Sequence, residues 1–173
     1  MALRDLRIYR LLSLDLIELY AEIESRFDEE TDEEIPYSPE LISEKVIKDC
    51  SKLLAKSDNI RNVKRLYADL LFRETENPTA LGSGIAIPHV RTNNVKDLTM
   101  CFLRYPKGVN MKSLDGKPVY LVFAIVTPRE ENSSDYQKVY RKIIKWIQVP
   151  QFRDELMTAC NCSEITKALR MAE

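Results

Sequence analysis

The most informative sequence in the chain is Leu81-Gly82-Ser83-Gly84-Ile85-Ala86-Ile87-Pro88-His89, which ends in the only histidine among 173 residues. The apolar run Ile85-Ala86-Ile87 is short and β-branched at both ends, which is typical of a buried strand end. Pro88 has no amide proton for a sheet ladder, so we expect strand pairing to stop there. His89 is then predicted to lie at the rim of a sheet, on a rigid base suited to a reactive side chain.

A lone histidine is usually a surface residue or a satisfied core residue, so its functional interpretation needs a partner. Arg73 is a candidate, because it follows Leu70-Leu71-Phe72 at the end of a helical pattern. On a helical projection Arg73 falls at the border of the apolar stripe, where its stem packs and its guanidinium reaches into a cleft. The alternative is an arginine that only stabilises the last carbonyls of its own helix.

The combination of Arg73-Glu74, a glycine-containing loop and Gly84-Ile85-Ala86-Ile87-Pro88-His89 resembles a known phosphorylation motif. It is that of the fructose/mannitol-type enzyme IIA domains of the bacterial phosphoenolpyruvate-dependent sugar phosphotransferase system, which include the nitrogen-regulatory IIA proteins. The resemblance is strongest over residues 60–130. One difference is Pro78-Thr79-Ala80-Leu81-Gly82, which stands where the family usually has Ser-Thr-Gly-Ile-Gly.

The resemblance implies a role for each site residue. His89 would be phosphorylated by the phosphocarrier protein HPr, with Arg73 as the phosphate partner. The phosphoryl group would then pass to a cysteine of an enzyme IIB domain, or its presence would regulate a target protein. No cofactor and no ATP site are implied.

The residue types fit this chemistry. Neutral imidazole has a free lone pair that attacks phosphorus and holds the phosphoryl group covalently. Arginine stays charged, and its fork matches phosphate oxygens. The turn Gly82-Ser83-Gly84 is a candidate phosphate-binding loop, since glycines let backbone amides approach a phosphate.

A second difference from the family concerns Asp135. Many such domains have a second histidine where the helix after the long central strand begins, and aligning Phe123-Ala124 and Pro128 puts Asp135 there. An aspartate that orients the His89 ring would make the ring more basic, but its charge would oppose an incoming phosphoryl group. The alternative is that Asp135 only caps its helix.

Two further functions remain open on the sequence. One is a regulatory domain of the same fold that binds partners without phosphoryl relay, as in the cytoplasmic domains of some anion exchangers. It would need neither His89 nor Arg73. The other is a histidine hydrolase with Ser83 as nucleophile, but no nucleophile-elbow pattern surrounds that serine.

The composition excludes several classes. Hydrophobic residues at 45% and charged residues at 31% are ordinary for a globular chain, and residues 1–173 suit one domain. The net charge of −1 does not indicate a nucleic-acid-binding protein. No apolar run is long enough to span a membrane, and the N-terminus lacks a signal-peptide core, so we expect a cytoplasmic protein that is not membrane-embedded.

The four cysteines do not form a metal-binding pattern. Cys160 and Cys162 are separated by one residue, and one histidine is too few for the common zinc sites. We therefore expect reduced thiols and no metal, with Cys50 and Cys101 in the core.

An acidic run, Asp28-Glu29-Glu30-Thr31-Asp32-Glu33-Glu34, repels itself and resists burial. It predicts a solvated loop, or an insertion relative to the family, over residues 28–37. The alternative is an acidic docking segment.

Helices predicted before and after buried strands indicate an α/β sandwich of three layers, and the resemblance implies a mixed central sheet with helices on both faces. Strands are predicted at 85–87, 98–103 and 119–126, and turns at Lys107-Gly108 and Asp115-Gly116. Predicted helices are 3–27, one starting at Ser38-Pro39-Glu40, one over 63–73, one over 135–147, one around residues 152–159 and one capped by Ser163. The resemblance leaves an alternative for residues 3–27, because such domains often open with a leucine-rich stretch that includes a short extended segment. The buried side of the helix over 135–147 is predicted to consist of Tyr136, Val139, Tyr140, Ile143, Ile144 and Ile147.

Overall fold

The longest apolar segment of the chain forms the centre of the sheet. In the computed structural model, which describes residues 6–130 and 133–173, strand β8 is Val119–Thr127 and is buried at every position except Tyr120. Strand β7, Thr99–Val109, runs antiparallel to β8, with Phe102 opposite Phe123. Because both faces of β8 are covered, its side chains are apolar without alternation, as the sequence predicts.

The other strands of this sheet are short. Within the described residues the order is β1 (Ile17–Glu18), β7, β8, β5 (Ile85–Ala86) and β4 (Ala80–Gly82), and β6 (His89–Arg91) also pairs with β8. The sheet is mixed, because β1 is parallel to β7, and β5 and β6 are parallel to β8, whereas β4 is antiparallel to β5.

Strand pairing does not stop at Pro88, so that prediction is wrong. The Pro88 carbonyl accepts a hydrogen bond from the Ile125 amide at 2.9 Å, and His89 lies opposite Ile125. Proline lacks an amide proton but keeps its carbonyl, so the ladder to β8 continues through the acceptor. As a result β5 and β6 lie one after the other along the same edge of β8.

Helices cover both faces of the sheet. The described helices are α1 (Ile8–Leu11), α2 (Pro39–Leu54), α3 (Val63–Glu76), α4 (Ser133–Ile147), α5 (Pro150–Thr158) and α6 (Cys162–Ala172). Tyr105 of β7 donates to Asp49 of α2, whereas Arg104 donates to the Leu156 carbonyl of α5. Neighbouring residues of a strand point to opposite faces, so α2 and α5 lie on opposite sides and the predicted three layers are confirmed.

The helix caps follow the sequence with one exception. The Ser38 hydroxyl accepts from the Leu41 amide, and Pro39 is the first helical residue, as predicted. The last helix is capped by the Asn161 side chain, which accepts from the Glu164 amide, and not by Ser163. Asparagine and serine are both good caps, and α6 begins at Cys162, which makes Asn161 the capping residue.

The helix predicted over residues 3–27 is wrong for its described part. The chain forms the short α1, one 3₁₀ turn at Leu14–Leu16 and then β1. Leu12, Leu16 and Leu19 have helical spacing and are all buried. They are buried by tertiary packing around an extended segment whose Ile17 pairs with Phe102.

The acidic run lies in a hairpin of β2 (Arg26–Phe27) and β3 (Glu34–Ile35). Residues 29–34 are exposed, as expected for a charged loop, and Asp28 accepts from the Glu30 and Thr31 amides in the turn. That this segment is an insertion stays a prediction.

The turn predicted at Lys107-Gly108 is also wrong, because both residues belong to β7. The register between β7 and β8 shifts between Arg104 and Val109, and Gly108 has φ +73°. A Cβ on Gly108 would lie 2.9 Å from the Tyr120 ring, so glycine serves here for a bulge and not for a chain reversal. The turn at Asp115-Gly116 is confirmed.

Among the described residues we find no helix long and apolar enough to cross a bilayer.

Candidate functional site

His89 begins β6 near the end of the central strand, and it is half-buried. Its Nδ1 lies 2.7 Å from the Ile87 carbonyl oxygen. A carbonyl only accepts hydrogen bonds, so Nδ1 carries the proton and donates it. The lone pair of the neutral ring is therefore on Nε2.

Arg73 lies in the last turn of α3 and contacts that second nitrogen. Its Nη2 is 3.0 Å from His89 Nε2. Its Nη1 donates to the Asn77 carbonyl at the helix end, 2.9 Å away. Both interpretations of Arg73 are thus realised at once, since the guanidinium bonds a helix-end carbonyl and also reaches the histidine.

The environment keeps the ring uncharged. Burial lowers the pKa of His89 from its ordinary value of 6.5 and the Arg73 charge lowers it further, although the bond to the Ile87 carbonyl opposes them. A ring with a lowered pKa is neutral near pH 7, so the Nε2 lone pair is available as a nucleophile.

Helix α3 is held against β6 by a polar contact next to the site. Asp69 of α3 accepts hydrogen bonds from the Thr92 hydroxyl and, at 2.8 Å, from the Asn94 side-chain amide. The Thr92 amide in turn donates to the Thr127 carbonyl of β8. This Asp69–Thr92 contact fixes the helix that carries Arg73 relative to the strand that carries His89.

Glu74 is a residue whose part in the site the sequence analysis missed. Its side chain is buried, and its carboxylate accepts hydrogen bonds from the amide and the hydroxyl of Thr79. Burial raises the pKa of Glu74. The contact holds the loop between α3 and β4, which begins at Asn77, the residue whose carbonyl accepts a hydrogen bond from Arg73.

Two tyrosines of α4 cover the His89 ring. The ring centroids of His89 and Tyr136 are 5.9 Å apart, and those of His89 and Tyr140 are 5.1 Å apart. Burial raises the pKa of Tyr136 to about 12, although the charges of Arg73 and Arg91 act to lower it. The sequence predicted both tyrosines only as part of the buried side of the helix. Their position, one turn apart at the start of the helix after the central strand, is the feature that could have indicated a place in the site.

Asp135, the sequence candidate on this helix, is placed differently. Its carboxylate forms a salt bridge with Lys138, 3.1 Å from Nζ to Oδ1, and 41% of its side chain is exposed. The α4 rings that pack against the His89 ring are those of Tyr136 and Tyr140.

The structure does not bring the turn Gly82-Ser83-Gly84 to His89. β5 pairs with β8 at Leu121, whereas His89 pairs at Ile125, four residues further along the strand. At about 3.3 Å per residue this separates the two ends of the segment by about 13 Å. The Ser83 amide donates to Asp115 at 2.9 Å, so it already has an acceptor. The same separation disfavours Ser83 as the nucleophile of a histidine hydrolase.

Metal binding finds no support in the described residues, where no group of three His, Cys, Asp or Glu side chains is arranged to hold an ion. The side chains that the structure brings together at the site are a neutral imidazole whose Nε2 lies against Arg73, that arginine and the rings of two tyrosines.

Comparison with known proteins identifies the family of the chain. Residues 39–171 match the family model described as "Phosphoenolpyruvate-dependent sugar phosphotransferase system, EIIA 2". A nitrogen regulatory protein of Bradyrhizobium diazoefficiens is 28% identical over 122 residues, which are 69% of this chain and 79% of that protein. The fructose-specific EIIABC component of Bacillus subtilis is 34% identical over 98 residues, which are 57% of this chain but only 15% of that protein.

Solved structures show the same fold. The nitrogen regulatory protein IIA-Ntr from Neisseria meningitidis superimposes with a TM-score of 0.76 at 28% identity, covering 94% of this chain and 98% of the other. The mannitol IIA of Escherichia coli, solved in complex with phosphorylated mannitol IIB, has a TM-score of 0.66 at 20% identity, covering 91% and 97%.

Proposed function

This chain belongs to the EIIA 2 family of the phosphoenolpyruvate-dependent sugar phosphotransferase system, and we propose that it is a phosphocarrier whose phosphoryl group is held on Nε2 of His89. One observation carries the proposal. The Ile87 carbonyl fixes the ring proton on Nδ1, and Nε2 is left as an unprotonated nitrogen beside an arginine. A phosphoryl acceptor needs that protonation state and a cation at that position.

The transfer step needs no separate base. The Nε2 lone pair forms a bond to phosphorus as the bond between phosphorus and a ring nitrogen of the donor phosphohistidine breaks, and the donor nitrogen keeps the electron pair. The Nδ1 proton stays in its bond to the Ile87 carbonyl. The donor's other ring nitrogen keeps its own proton, so the donor returns to neutral imidazole.

Arg73 stabilises the phosphoryl group in this proposal. Its Nη2 now donates to the Nε2 lone pair, and when that lone pair bonds phosphorus the same N–H donates to a phosphoryl oxygen. Arg73→Ala should slow transfer about 10- to 100-fold, because a hydrogen bond to a charged group contributes about 1.5–3 kcal/mol. Arg73→Lys keeps the charge but loses the forked guanidinium, so its transfer rate should lie between that of the wild-type chain and that of Arg73→Ala.

The proposed partners follow from the relatives. The donor is a phosphohistidine carrier of the HPr type, and the acceptor is an enzyme IIB domain or a regulatory target. The complex of the mannitol IIA with phosphorylated IIB supports an acceptor of the IIB kind, and the nitrogen regulatory relatives support a regulatory target.

Labelling with phosphoenolpyruvate tests the proposal. Enzyme I, HPr and labelled phosphoenolpyruvate should place one acid-labile, base-stable phosphoryl group on the wild-type chain, and His89→Gln should remove it while the chain stays folded. A wild-type chain that takes no label, or a His89→Gln chain that keeps it, would contradict the proposal.

A further inference from the structure

The tyrosine pair, Tyr136 and Tyr140, lies against the reactive histidine at two different angles. The Tyr140 ring meets the His89 ring edge-on at 61°, and the Tyr136 ring lies tilted at 45°. The two residues are one helical turn apart on α4, and both are half-buried. Two aromatic side chains thus form the wall of the site opposite the α3 helix.

The hydroxyl of Tyr136 lies in a positive environment. The charges of Arg73 and Arg91 both act on it. Arg91 is two residues after His89 on β6, and alternate residues of a strand point to the same face. Arg91 also donates to the Arg129 carbonyl at 2.7 Å, which ties its side chain to the segment that precedes α4.

The Tyr136 hydroxyl is not engaged by the described part of the chain. Within residues 6–130 and 133–173 no group forms a hydrogen bond with the Tyr136 hydroxyl. A half-buried phenol beside two arginines, with no internal partner and its ring on His89, is available to a group that binds at Nε2. An anionic group with acceptor oxygens fits that position best.

We propose that the Tyr136 hydroxyl donates a hydrogen bond to an oxygen of the phosphoryl group on His89, and so acts with Arg73 as a second donor to that group. The proposal rests on the function proposed above. The charge of a transferring phosphoryl group is spread over three oxygens, so one arginine does not satisfy all of them.

The same geometry explains why Tyr136, and not Asp135, serves the site. A carboxylate would repel a phosphoryl group, and Asp135 is engaged with Lys138. A phenol is neutral at physiological pH and carries a donor, because burial holds its proton more firmly than usual. Tyr136 therefore supplies a donor one residue after Asp135, the position that the alignment matches to the second histidine of many relatives.

Single-turnover transfer from phospho-HPr to the full chain tests the inference. Tyr136→Phe keeps the ring and removes the donor, and it should slow transfer about 10- to 100-fold. Tyr67→Phe, which also removes a single phenol hydroxyl, one that donates to Glu44 of α2, is the matched control and should transfer at the wild-type rate. The lifetime of the phosphohistidine gives a second reading, and it should change for Tyr136→Phe only.

The possible failures are distinguishable. If the wild-type chain is phosphorylated and Tyr136→Phe matches it in rate and lifetime, the inference is wrong and the proposed function stands. If Tyr136→Phe and Tyr67→Phe are slowed equally, loss of a phenol hydroxyl acts on the whole chain and not on the phosphoryl group, and the inference is wrong. If the wild-type chain takes no phosphate, the proposed function itself fails.

Discussion

At the residue scale, the site depends on how one ring is held. His89 has a carbonyl acceptor on one nitrogen and an arginine donor on the other, so its proton and its lone pair each have a fixed place. The sequence allowed both residues to be predicted, because the spacing of Arg73 and His89 matches a phosphorylation motif. Which ring nitrogen faces the carbonyl and which faces the arginine could not be predicted. The Ile87 carbonyl faces Nδ1 only because β5 and β6 both pair along β8.

A titration of the single histidine should show the effect of this environment. Burial and Arg73 lower the pKa of His89, so the ring resonance should titrate with a midpoint below the ordinary value of 6.5. Arg73→Ala removes one cause and should raise the midpoint. Proton NMR measures this without ambiguity, because the chain has one histidine.

The sign of the stability effect follows from the same shift. A histidine whose folded pKa is lowered stabilises the fold above its unfolded pKa, and this contribution is lost as the pH falls from 6.5 toward the folded pKa. The free energy of unfolding of the wild-type chain should therefore fall faster than that of His89→Gln over this interval. Urea unfolding at several pH values measures this free energy. If it changes with pH equally in the wild-type chain and in His89→Gln, the ring is not held neutral.

At the element scale, the site is the junction of α3, β6 and α4. Helices α3 and α4 were predicted from their apolar stripes, and both are confirmed. Sequence periodicity gives the buried face of a helix but not the strand residue that it covers, and for that reason Tyr136 and Tyr140 were predicted as core only. The glycine turn was misjudged for a related reason: it is near His89 in sequence but at the other end of the segment along β8.

The Asp69–Thr92 contact should matter for both stability and transfer. Thr92 is 1% exposed, and Thr92→Val keeps its shape while removing the hydroxyl that bonds Asp69. We expect a loss of about 1–3 kcal/mol in the free energy of unfolding, because the half-buried Asp69 carboxylate loses one of its two donors. Transfer to His89 should slow as well, because α3 carries Arg73.

Urea unfolding and single-turnover transfer measure the two effects on the same samples. The matched control is Thr75→Val on α3, the helix that carries Asp69, because the exposed Thr75 hydroxyl bonds only carbonyls of its own helix. A Thr92→Val chain as stable as Thr75→Val would show that the contact does not hold α3.

At the scale of the whole molecule, the central strands and the layers follow from composition and periodicity, whereas the N-terminal segment does not. The leucines of that segment fit a helix equally well, and only pairing of Ile17 with Phe102 makes the segment extended. Pairing between distant parts of the chain is not encoded in local spacing, which also explains the misjudged turn at Lys107-Gly108.

The hairpin of β2 and β3 should be dispensable for the chemistry. Residues 29–34 are exposed and strongly acidic, so a shortened loop removes little buried surface. Replacing residues 29–33 with a short glycine turn should leave HPr-dependent labelling unchanged. Loss of labelling in a chain that still melts cooperatively would instead assign this segment a docking role.

The most direct test of the central claim is nitrogen NMR of the phosphorylated chain labelled with ¹⁵N. The single histidine gives one pair of ring nitrogens, and coupling to ³¹P identifies the one that carries phosphorus. The structure predicts phosphorus on Nε2 and a proton that stays on Nδ1 in its bond to the Ile87 carbonyl. Phosphorus on Nδ1, or on a residue other than His89, would contradict the account.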